Sequence, residues 1–191
     1  MRARPGNVRI IGGKWGGRKL SVAARPTLRP SPDRIRETLF NWLSPFLEGA
    51  RCLDLFAGTG ALGFEALSRG AAYATLLDND QQIVDLLHEQ AKLLNAENVE
   101  VVASDAFAWI SSKQVTPFDI VFLDPPFGHG YIESCLDELK RGWLKPRAWV
   151  YLETEKLPIL HLEAAGWHLL RQGHTRQVEY AVVEINRLAP S

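Results

Sequence analysis

The stretch that determines the fold class reads Asp54-Leu-Phe-Ala-Gly-Thr-Gly60. Mostly apolar residues run into it from residue 51, as in a buried strand, and its glycines stand directly before a helix-like run from about residue 61. A strand that ends in a glycine turn and opens a helix is typical of a loop that holds a nucleotide-type cofactor. The stretch therefore predicts such a loop at the end of the first strand of a parallel sheet.

Strands and helices alternate on the carboxyl side of this loop. The expected strands are 51–56, 73–78, 99–103, 118–123 and 148–153, and the expected helices lie near 61–69, 80–95, 105–112, 130–140 and 156–165. This alternation predicts an α/β fold with a doubly wound, Rossmann-like sheet and right-handed crossovers. Two further strands, 167–171 and 177–185, predict a terminal hairpin with an antiparallel strand.

The amino-terminal part has a different pattern. Two short strands, 8–13 and 18–23, flank a glycine-containing turn, and the proline-rich residues 25–32 predict an extended linker. Ser31 is expected to cap the helix that follows, because it stands before Pro32 and Asp33 at the helix start. We therefore expect a basic hairpin and linker over residues 1–30 and one α/β domain over residues 31–191.

The charge distribution indicates a nucleic-acid ligand. The net charge is zero, but residues 1–36 carry ten Lys and Arg side chains against one acid, a net charge of +9, so the remainder carries −9. A basic arm on an acidic body is typical of a protein that binds nucleic acid from one side. A solvated, partly disordered tail is the alternative. The candidate phosphate contacts are Arg9, Lys14, Arg18, Lys19, Arg29, Arg34 and Arg36, and Trp15 is a candidate for stacking on a base.

Composition places the chain among ordinary globular proteins. It has 191 residues, 46% of them hydrophobic and 23% charged, and no apolar run approaches the roughly 20 residues that span a bilayer. The amino terminus lacks the apolar core of a secretory signal, and Cys52 and Cys135 lack metal-ligand spacing. We expect a cytoplasmic protein with reduced thiols, no metal site and no membrane contact.

The glycines of the first loop fit two kinds of cofactor. Gly58, Gly60 and Gly63 satisfy the G-x-G-x-x-G pattern of dinucleotide sites. Asp54 argues against a dinucleotide, because a carboxylate there would repel a pyrophosphate at the helix amino terminus. The same carboxylate would attract the ammonium group of S-adenosylmethionine, whose sulfonium adds a second positive charge.

Two more acids follow strands at the same edge of the predicted sheet. Asp78 ends the second strand, 18 residues after Gly60, where an acid can accept hydrogen bonds from ribose hydroxyls. Asp105 follows the third strand and either accepts from the adenine amino group or caps the next helix, whereas Asp80 is expected only to cap. With their neighbours, the candidate cofactor residues are Asp54, Phe56, Gly58, Thr59, Gly60, Asp78, Asn79, Asp105 and Ala106.

A second motif, Asp124-Pro-Pro-Phe127, supplies groups that could hold an amine-bearing base. It follows the apolar strand 118–123, so it emerges at the edge where open α/β sheets bind ligands. An exocyclic amine is a poor nucleophile because its lone pair is delocalised into the ring. The Asp124 carboxylate and the Pro125 carbonyl could accept hydrogen bonds from the two N–H groups of the amine, which would direct its lone pair to a methyl donor. Pro125 and Pro126 would stiffen the loop, and Phe127 would stack on the base. A proline-rich turn that closes a buried strand is the alternative.

The chain resembles the bacterial 16S ribosomal RNA guanine-N2 methyltransferase family over nearly its whole length. The resemblance rests on the segments 9–13, 17–20, 29–43, 54–60 and 124–127. It implies a seven-stranded class I methyltransferase fold, S-adenosylmethionine as donor, and one guanine of the small ribosomal subunit or its assembly intermediate as target. The family pattern Arg-Pro-Thr is Arg29-Pro-Ser31 here, which keeps the hydroxyl group.

Three other functions fit parts of the sequence. An adenine-N6 methyltransferase would use the same Asp-Pro-Pro-Phe motif, and the local residues do not distinguish the two bases. A non-catalytic RNA-binding assembly factor would need only the basic arm, but the cofactor loop is intact. A nicotinamide enzyme is disfavoured by Asp54 and by the lack of a second catalytic domain. We expect an enzyme that acts as a monomer.

Overall fold

The computed structural model describes residues 6–23, 31–112, 116–126 and 131–186 of the chain. The strands are Asn7–Arg9 (β1), Lys19–Ser21 (β2), Arg51–Asp54 (β3), Tyr73–Asp78 (β4), Val99–Ala103 (β5), Phe118–Leu123 (β6), Leu144–Thr154 (β7), His168–His174 (β8) and Glu179–Asn186 (β9). The α-helices are Asp33–Leu47 (α1), Ala61–Ser68 (α2), Gln81–Leu94 (α3), Ala106–Ile110 (α4), Tyr131–Leu139 (α5) and Ile159–Ala164 (α6). A single turn of 3-10 helix spans Gly13–Trp15.

Seven strands form one twisted sheet in the order β5-β4-β3-β6-β7-β9-β8. The strands from β5 to β7 are parallel, whereas β9 pairs antiparallel with both β7 and β8. The chain reverses its direction of travel across the sheet between β3 and β6, and this switch point is where open α/β sheets bind ligands. The structure confirms the predicted doubly wound sheet and its antiparallel terminal hairpin.

Two apolar layers cover the faces of this sheet. One contains α1, α2 and α3 and includes Phe40, Phe64 and Phe122 in its core. The other contains α4, α5 and α6 and includes Leu123 and Trp167. Because β3 and β6 are buried on both faces, their sequences are nearly continuous apolar runs rather than alternating ones. Every residue of α2 is buried as well, since α2 lies between the sheet and the amino-terminal hairpin.

Helix α1 begins at Asp33, one residue later than the expected Ser31 cap implies, and Ser31 does not cap it. Pro32 occupies the capping position and makes no side-chain hydrogen bond there. The Ser31 hydroxyl instead donates to Glu153 Oε2 at 2.6 Å. Glu153 is a buried carboxylate that requires donors, and an unpaired buried acceptor costs more than an uncapped helix end at the surface.

The strands β1 and β2 form an antiparallel hairpin that docks on α2. Glu65 accepts hydrogen bonds from the backbone amides of Ile11 at 2.6 Å and Gly12 at 2.8 Å. The Ser68 hydroxyl accepts from the Trp15 amide at 2.9 Å. The amides of Ile11 and Gly12 bind α2 instead of a neighbouring strand, which explains why β1 ends at Arg9 and does not continue to residue 13.

The described residues contain no group of three or more His, Cys, Asp and Glu side chains that could hold a metal ion. In the same parts of the chain, no helix has both the length and the apolar character needed to cross a membrane. Cys52 and Cys135 are both buried, and neither forms a disulfide.

Candidate active site

The predicted cofactor and base residues meet at one edge of the sheet. Asp54 is the last residue of β3, Asp78 is the last residue of β4, and Asp124 directly follows β6. These three strands are parallel neighbours, with β3 in the middle, so their carboxyl ends lie side by side. The structure therefore brings the two sequence motifs together, although seventy residues separate them.

The glycine turn has a backbone that only glycine adopts easily. Gly58 has φ +50° and Gly60 has φ +72°, both in the left-handed region. A Cβ atom at Gly60 would also lie 2.6 Å from the Phe64 ring. The turn is closed by a hydrogen bond from the Gly60 amide to the Ala57 carbonyl at 2.7 Å. These constraints bring the backbone close to the edge of the sheet with little side-chain bulk, as a cofactor loop requires.

Asp54 is a buried carboxylate without a cationic partner among the described side chains. It is 2% exposed, and its Oδ2 accepts a hydrogen bond from the Gly63 amide at 3.1 Å. Burial raises the pKa of Asp54 to about 7, the Gly63 hydrogen bond opposes this effect, and the charge on Asp78 adds to it. A bound ammonium group would relieve this unfavourable environment, so the donor set fits S-adenosylmethionine better than a pyrophosphate.

Asp78 shapes the cofactor loop from the neighbouring strand. Its Oδ2 accepts from the Gly58 amide at 3.0 Å and its Oδ1 accepts from the Asp80 amide at 2.9 Å. Burial raises its pKa, and these backbone hydrogen bonds oppose the rise. A carboxylate has about four acceptor positions, so at least one remains for a ribose hydroxyl. Asp80 caps α3 through the Gln82 amide, as expected.

Asp105 caps α4, which was one of its two predicted roles. Its Oδ1 accepts from the Ala108 amide at 2.9 Å, and its side chain is exposed. The second carboxylate oxygen is available for an adenine amino group, so the cap does not exclude the other role. Ala106, the first residue of α4, is buried. Thr59 is buried in the glycine turn, whereas Asn79 is exposed.

Three aromatic residues, Phe56, Phe107 and Tyr131, pack together beside the cofactor loop, and the sequence predicted only one of them. Phe56 stacks on Tyr131 with ring centres 6.2 Å apart, and Tyr131 also contacts Phe107 at 5.0 Å. Phe56 was a predicted cofactor residue, but Tyr131 and Phe107 were not. An aromatic residue at the start of the helix after the Asp-Pro-Pro motif was the available signal.

Asp124 lies in a strongly acidic environment. Its pKa is raised well above the usual range by burial and by the negative charges on Glu153 and Asp54. Pro125 is buried and Pro126 is exposed. Phe127 lies outside the described residues, so its predicted stacking role stays a prediction.

Glu153 also lies at this edge of the sheet, and the sequence pattern did not single it out. It is 5% exposed, and its Oε2 accepts hydrogen bonds from the hydroxyls of Ser31 and Tyr151, each at 2.6 Å. The parallel register pairs Leu123 with Leu152, which sets Glu153 alongside Asp124. The only signal in the sequence was one acidic residue near the end of an otherwise apolar strand. Many strands end in this way, so the residue did not stand out.

Most of the predicted RNA contacts lie on the surface. Arg9 has 60% of its side chain exposed and lies 3.5 Å from the Asp33 carboxylate. Arg18 is exposed and donates to the Leu93 carbonyl at 2.6 Å, which holds it against the end of α3. The remaining exposed basic residues of this group are Lys14, Lys19 and Arg34. Arg29 lies outside the described residues.

Two residues of the predicted RNA surface are part of the interior instead. Arg36 is 0% exposed, and its guanidinium donates to the Arg9 carbonyl at 2.8 Å and to Asp33 at 2.6 Å. It also lies 3.8 Å from Glu65. A guanidinium used in this way cannot reach a phosphate, so its burial contradicts the predicted RNA contact. Trp15 is 7% exposed and packs in the core, which likewise contradicts base stacking.

Comparisons with known proteins place most of the chain among methyltransferases. A family described as conserved hypothetical protein 95 matches residues 8–184. The ribosomal RNA small subunit methyltransferase D of Escherichia coli strain K12 is 47% identical over 180 residues, which cover 94% of this chain and 90% of that one.

Solved structures agree with this result. A structure described as the putative methyltransferase yhhF from Escherichia coli is 46% identical, has a TM-score of 0.84, and covers 95% of this chain and 99% of its own. A more distant structure, described as a putative SAM-dependent methyltransferase from Streptococcus mutans, is 16% identical. Its TM-score is 0.72 over 88% of this chain and 54% of its own, which shows the shared fold.

Proposed function

Because the chain belongs to the bacterial family of ribosomal RNA small subunit methyltransferase D, we propose that it methylates the N2 amine of one guanine in 16S ribosomal RNA. The methyl donor is S-adenosylmethionine, in keeping with the fold and with the relatives. The family membership supports methylation of small-subunit ribosomal RNA. The choice of guanine N2 is the further step of the proposal.

The observation that carries the chemistry is the position of Asp124 beside the cofactor loop. Asp124 follows β6, which pairs with β3, and β3 ends at Asp54. The charge on Asp54 acts on Asp124, so the two carboxylates are close enough to interact. A base held by Asp124 would therefore lie next to a cofactor held by Asp54.

The cofactor residues would act by charge and by hydrogen bonding. When bound, S-adenosylmethionine supplies a methyl group made electrophilic by its positively charged sulfur. Asp54 would neutralise the ammonium group of the cofactor, and Asp78 would accept from its ribose. Asp105 would accept from its adenine amino group, and Phe56 would border the ring.

The base residues would orient and polarise the amine. Asp124 and the Pro125 carbonyl would each accept one N–H of the target amine and so direct its lone pair at the methyl group. The target nucleotide must leave any base stack to reach these residues. No strong base is required, because the amine becomes acidic as it is methylated, and Asp124 would receive the proton. Positioning and electrostatics would supply most of the acceleration.

Nucleoside mass analysis after incubation with S-adenosylmethionine tests the reaction. The substrates are naked 16S ribosomal RNA and small subunits from cells that lack the enzyme. We expect N2-methylguanosine from at least one of them, and the productive substrate identifies the assembly stage at which the enzyme acts. N6-methyladenosine would overturn the choice of base, and cofactor binding without any methylated product from either substrate would contradict the proposed reaction.

Replacement of the central carboxylate gives a second test. We expect Asp124→Ala to abolish turnover and to leave S-adenosylmethionine affinity nearly intact, because Asp124 holds the base rather than the cofactor. The measurements are methylation rate and cofactor affinity by calorimetry. Asp137→Ala, at an exposed position of α5, is the matched control. A folded Asp124→Ala protein that loses cofactor binding together with turnover would refute the assigned role.

A further inference from the structure

Glu153 is a buried carboxylate at the same edge of the sheet as Asp54 and Asp124. The proposed methyl transfer assigns no role to it. Leu123, the last residue of β6, pairs with Leu152 of β7, so Asp124 and Glu153 each directly follow one member of this pair. The charge on Glu153 also acts on Asp124, so the two carboxylates are neighbours at the carboxyl ends of these strands.

The two oxygens of Glu153 have different surroundings. Both hydroxyl donors, Ser31 and Tyr151, bind Oε2 at 2.6 Å. Within the described part of the chain, no donor hydrogen-bonds to Oε1. Two short hydrogen bonds fix the carboxylate in one orientation, and Oε1 remains as an acceptor beside Asp124.

The acceptors at this edge match the pairing edge of guanine. That edge presents three N–H donors in a row, two on N2 and one on N1. Adenine presents two N–H donors on N6 but an acceptor at N1. Asp124, the Pro125 carbonyl and Glu153 are all acceptors, so together they can bind three donors.

We propose that Glu153 is the residue that selects guanine, by accepting the N1–H of the target base while Asp124 and Pro125 hold its N2 amine. This inference rests on the proposed function. Adenine would place its N1 lone pair against the Glu153 carboxylate. Adenine N1 and Glu153 Oε1 are both acceptors, so neither would receive a hydrogen bond from the other. A site built to hydrogen-bond one polar group rejects an analogue without it strongly, because the buried partner stays unpaired.

The test uses a base that keeps the amine and lacks the N1–H. 2-Aminopurine carries the same N2 amine as guanine, but its N1 is an acceptor. Once the methylated nucleotide has been mapped, RNA substrates are prepared with guanosine or 2-aminopurine riboside at that position. We expect the wild-type protein to methylate the 2-aminopurine RNA with kcat/KM reduced by about 100-fold or more.

The variant Glu153→Gln should reverse this preference. Its amide oxygen can still accept from Ser31 and Tyr151, and its NH₂ group then faces N1 as a donor. We expect its kcat/KM on guanosine RNA to fall by about 100-fold, and its activity on 2-aminopurine RNA to equal or exceed that on guanosine RNA. Affinity for S-adenosylmethionine and the melting temperature should stay close to the wild-type values.

Glu184→Gln is the matched control, because Glu184 is also buried but pairs with Arg147 and lies far along β9 from the site. It should leave the base preference unchanged. Tyr151→Phe removes one donor and keeps the carboxylate, so it should retain the preference for guanosine.

The outcomes separate this inference from the function on which it rests. If the wild-type protein produces no N2-methylguanosine, the proposed function and the role of Glu153 are both contradicted. With N2-methylguanosine, equal wild-type activity on guanosine and 2-aminopurine RNA would overturn the role of Glu153 alone, and this comparison does not depend on the folding of any variant. A folded Glu153→Gln protein with an unchanged base preference would overturn it as well.

Discussion

Three carboxylates, Asp54, Asp124 and Glu153, stand at the ends of three adjacent strands, β3, β6 and β7. Among the described residues no Lys, Arg or His pairs with any of them, and both Glu153 and Asp54 act on Asp124 by charge repulsion. Like charges at short range in a buried site are unfavourable. S-adenosylmethionine carries a positively charged ammonium group, and this group would compensate the charge on Asp54, the carboxylate assigned to the cofactor.

The pKa of Asp54 gives a prediction for stability without cofactor. Its pKa is about 7 in the folded protein and near 3.8 in the unfolded chain. Between these values the unfolded state has lost a proton that the folded state keeps, so the free energy of unfolding falls as the pH rises from about 4 to about 7. The total effect is on the order of a few kcal/mol. Below pH 4 and above pH 7 this residue contributes no further pH dependence.

Asp54→Asn should remove this pH-dependent part of the free energy of unfolding, because an amide does not ionise. The amide oxygen can still accept the hydrogen bond from Gly63. We expect the variant to be more stable than the wild type above pH 7 and to approach it near pH 4, as measured by urea denaturation across that range. Asp137→Asn, at the exposed position used above, is the control for a lost surface charge. Parallel stability curves for Asp54→Asn and the wild type would contradict the prediction.

At the scale of elements, the hairpin of β1 and β2 depends on close contact with α2. Gly13 has φ +76°, and a Cβ atom there would lie 1.8 Å from the backbone oxygen of Ser68. Gly17 has φ +85°, and a Cβ atom there would meet nothing within 4 Å. The two glycines share the same backbone strain and differ in the contact, which makes them a matched pair.

Gly13→Ala should therefore displace the hairpin, whereas Gly17→Ala should cost only the left-handed strain of about 1–2 kcal/mol. Hydrogen exchange of the Ile11 and Gly12 amides reports on docking, because both donate to Glu65. We expect these amides to lose protection in Gly13→Ala and to keep it in Gly17→Ala. Equal protection in the two variants would show that the hairpin docks by other contacts.

The sequence predicted the elements well and the contacts between distant segments poorly. Each helix and strand of the α/β domain lies within a few residues of its expected place, because periodicity and glycine turns are local signals. Ser31, Arg36 and Glu153 were assigned incorrectly or missed, because their environments come from residues far away in the chain. The Ser31–Glu153 hydrogen bond spans 122 residues. The burial of Arg36 depends on Glu65 in another helix, and no local pattern distinguishes it from the exposed Arg34.

At the scale of the whole molecule, the charge polarity of the sequence corresponds to a basic hairpin surface on an acidic domain. Arg36 is withdrawn from that surface, but Arg9, Lys14, Arg18 and Lys19 are exposed on it. We keep the division into a basic RNA-binding extension over residues 1–30 and a methyltransferase domain as a proposal. In this arrangement the hairpin would bind phosphates, and the sheet edge would hold the base.

A triple variant tests this division of roles. The variant combines Lys14→Gln, Arg18→Gln and Lys19→Gln, and we expect it to bind RNA more weakly. The slope of log affinity against log salt should fall by about two to three, since each lost phosphate contact removes roughly one released counterion. Arg141→Gln, Lys145→Gln and Arg147→Gln form the control, because they remove the same number of positive charges near the amino end of β7. An unchanged salt slope in the first triple variant would remove the hairpin from the RNA interface.

The docking of the hairpin on Glu65 also sets an order of events during synthesis. The ribosome makes residues 6–23 before it makes α2, and the intervening 45 or so residues take a few seconds at ordinary translation rates of roughly 5–20 residues per second. During that interval the amides of Ile11 and Gly12 lack the acceptor that they bind in the folded protein. The nascent chain therefore presents its most basic segment undocked, next to the polyanionic surface of the ribosome that is translating it.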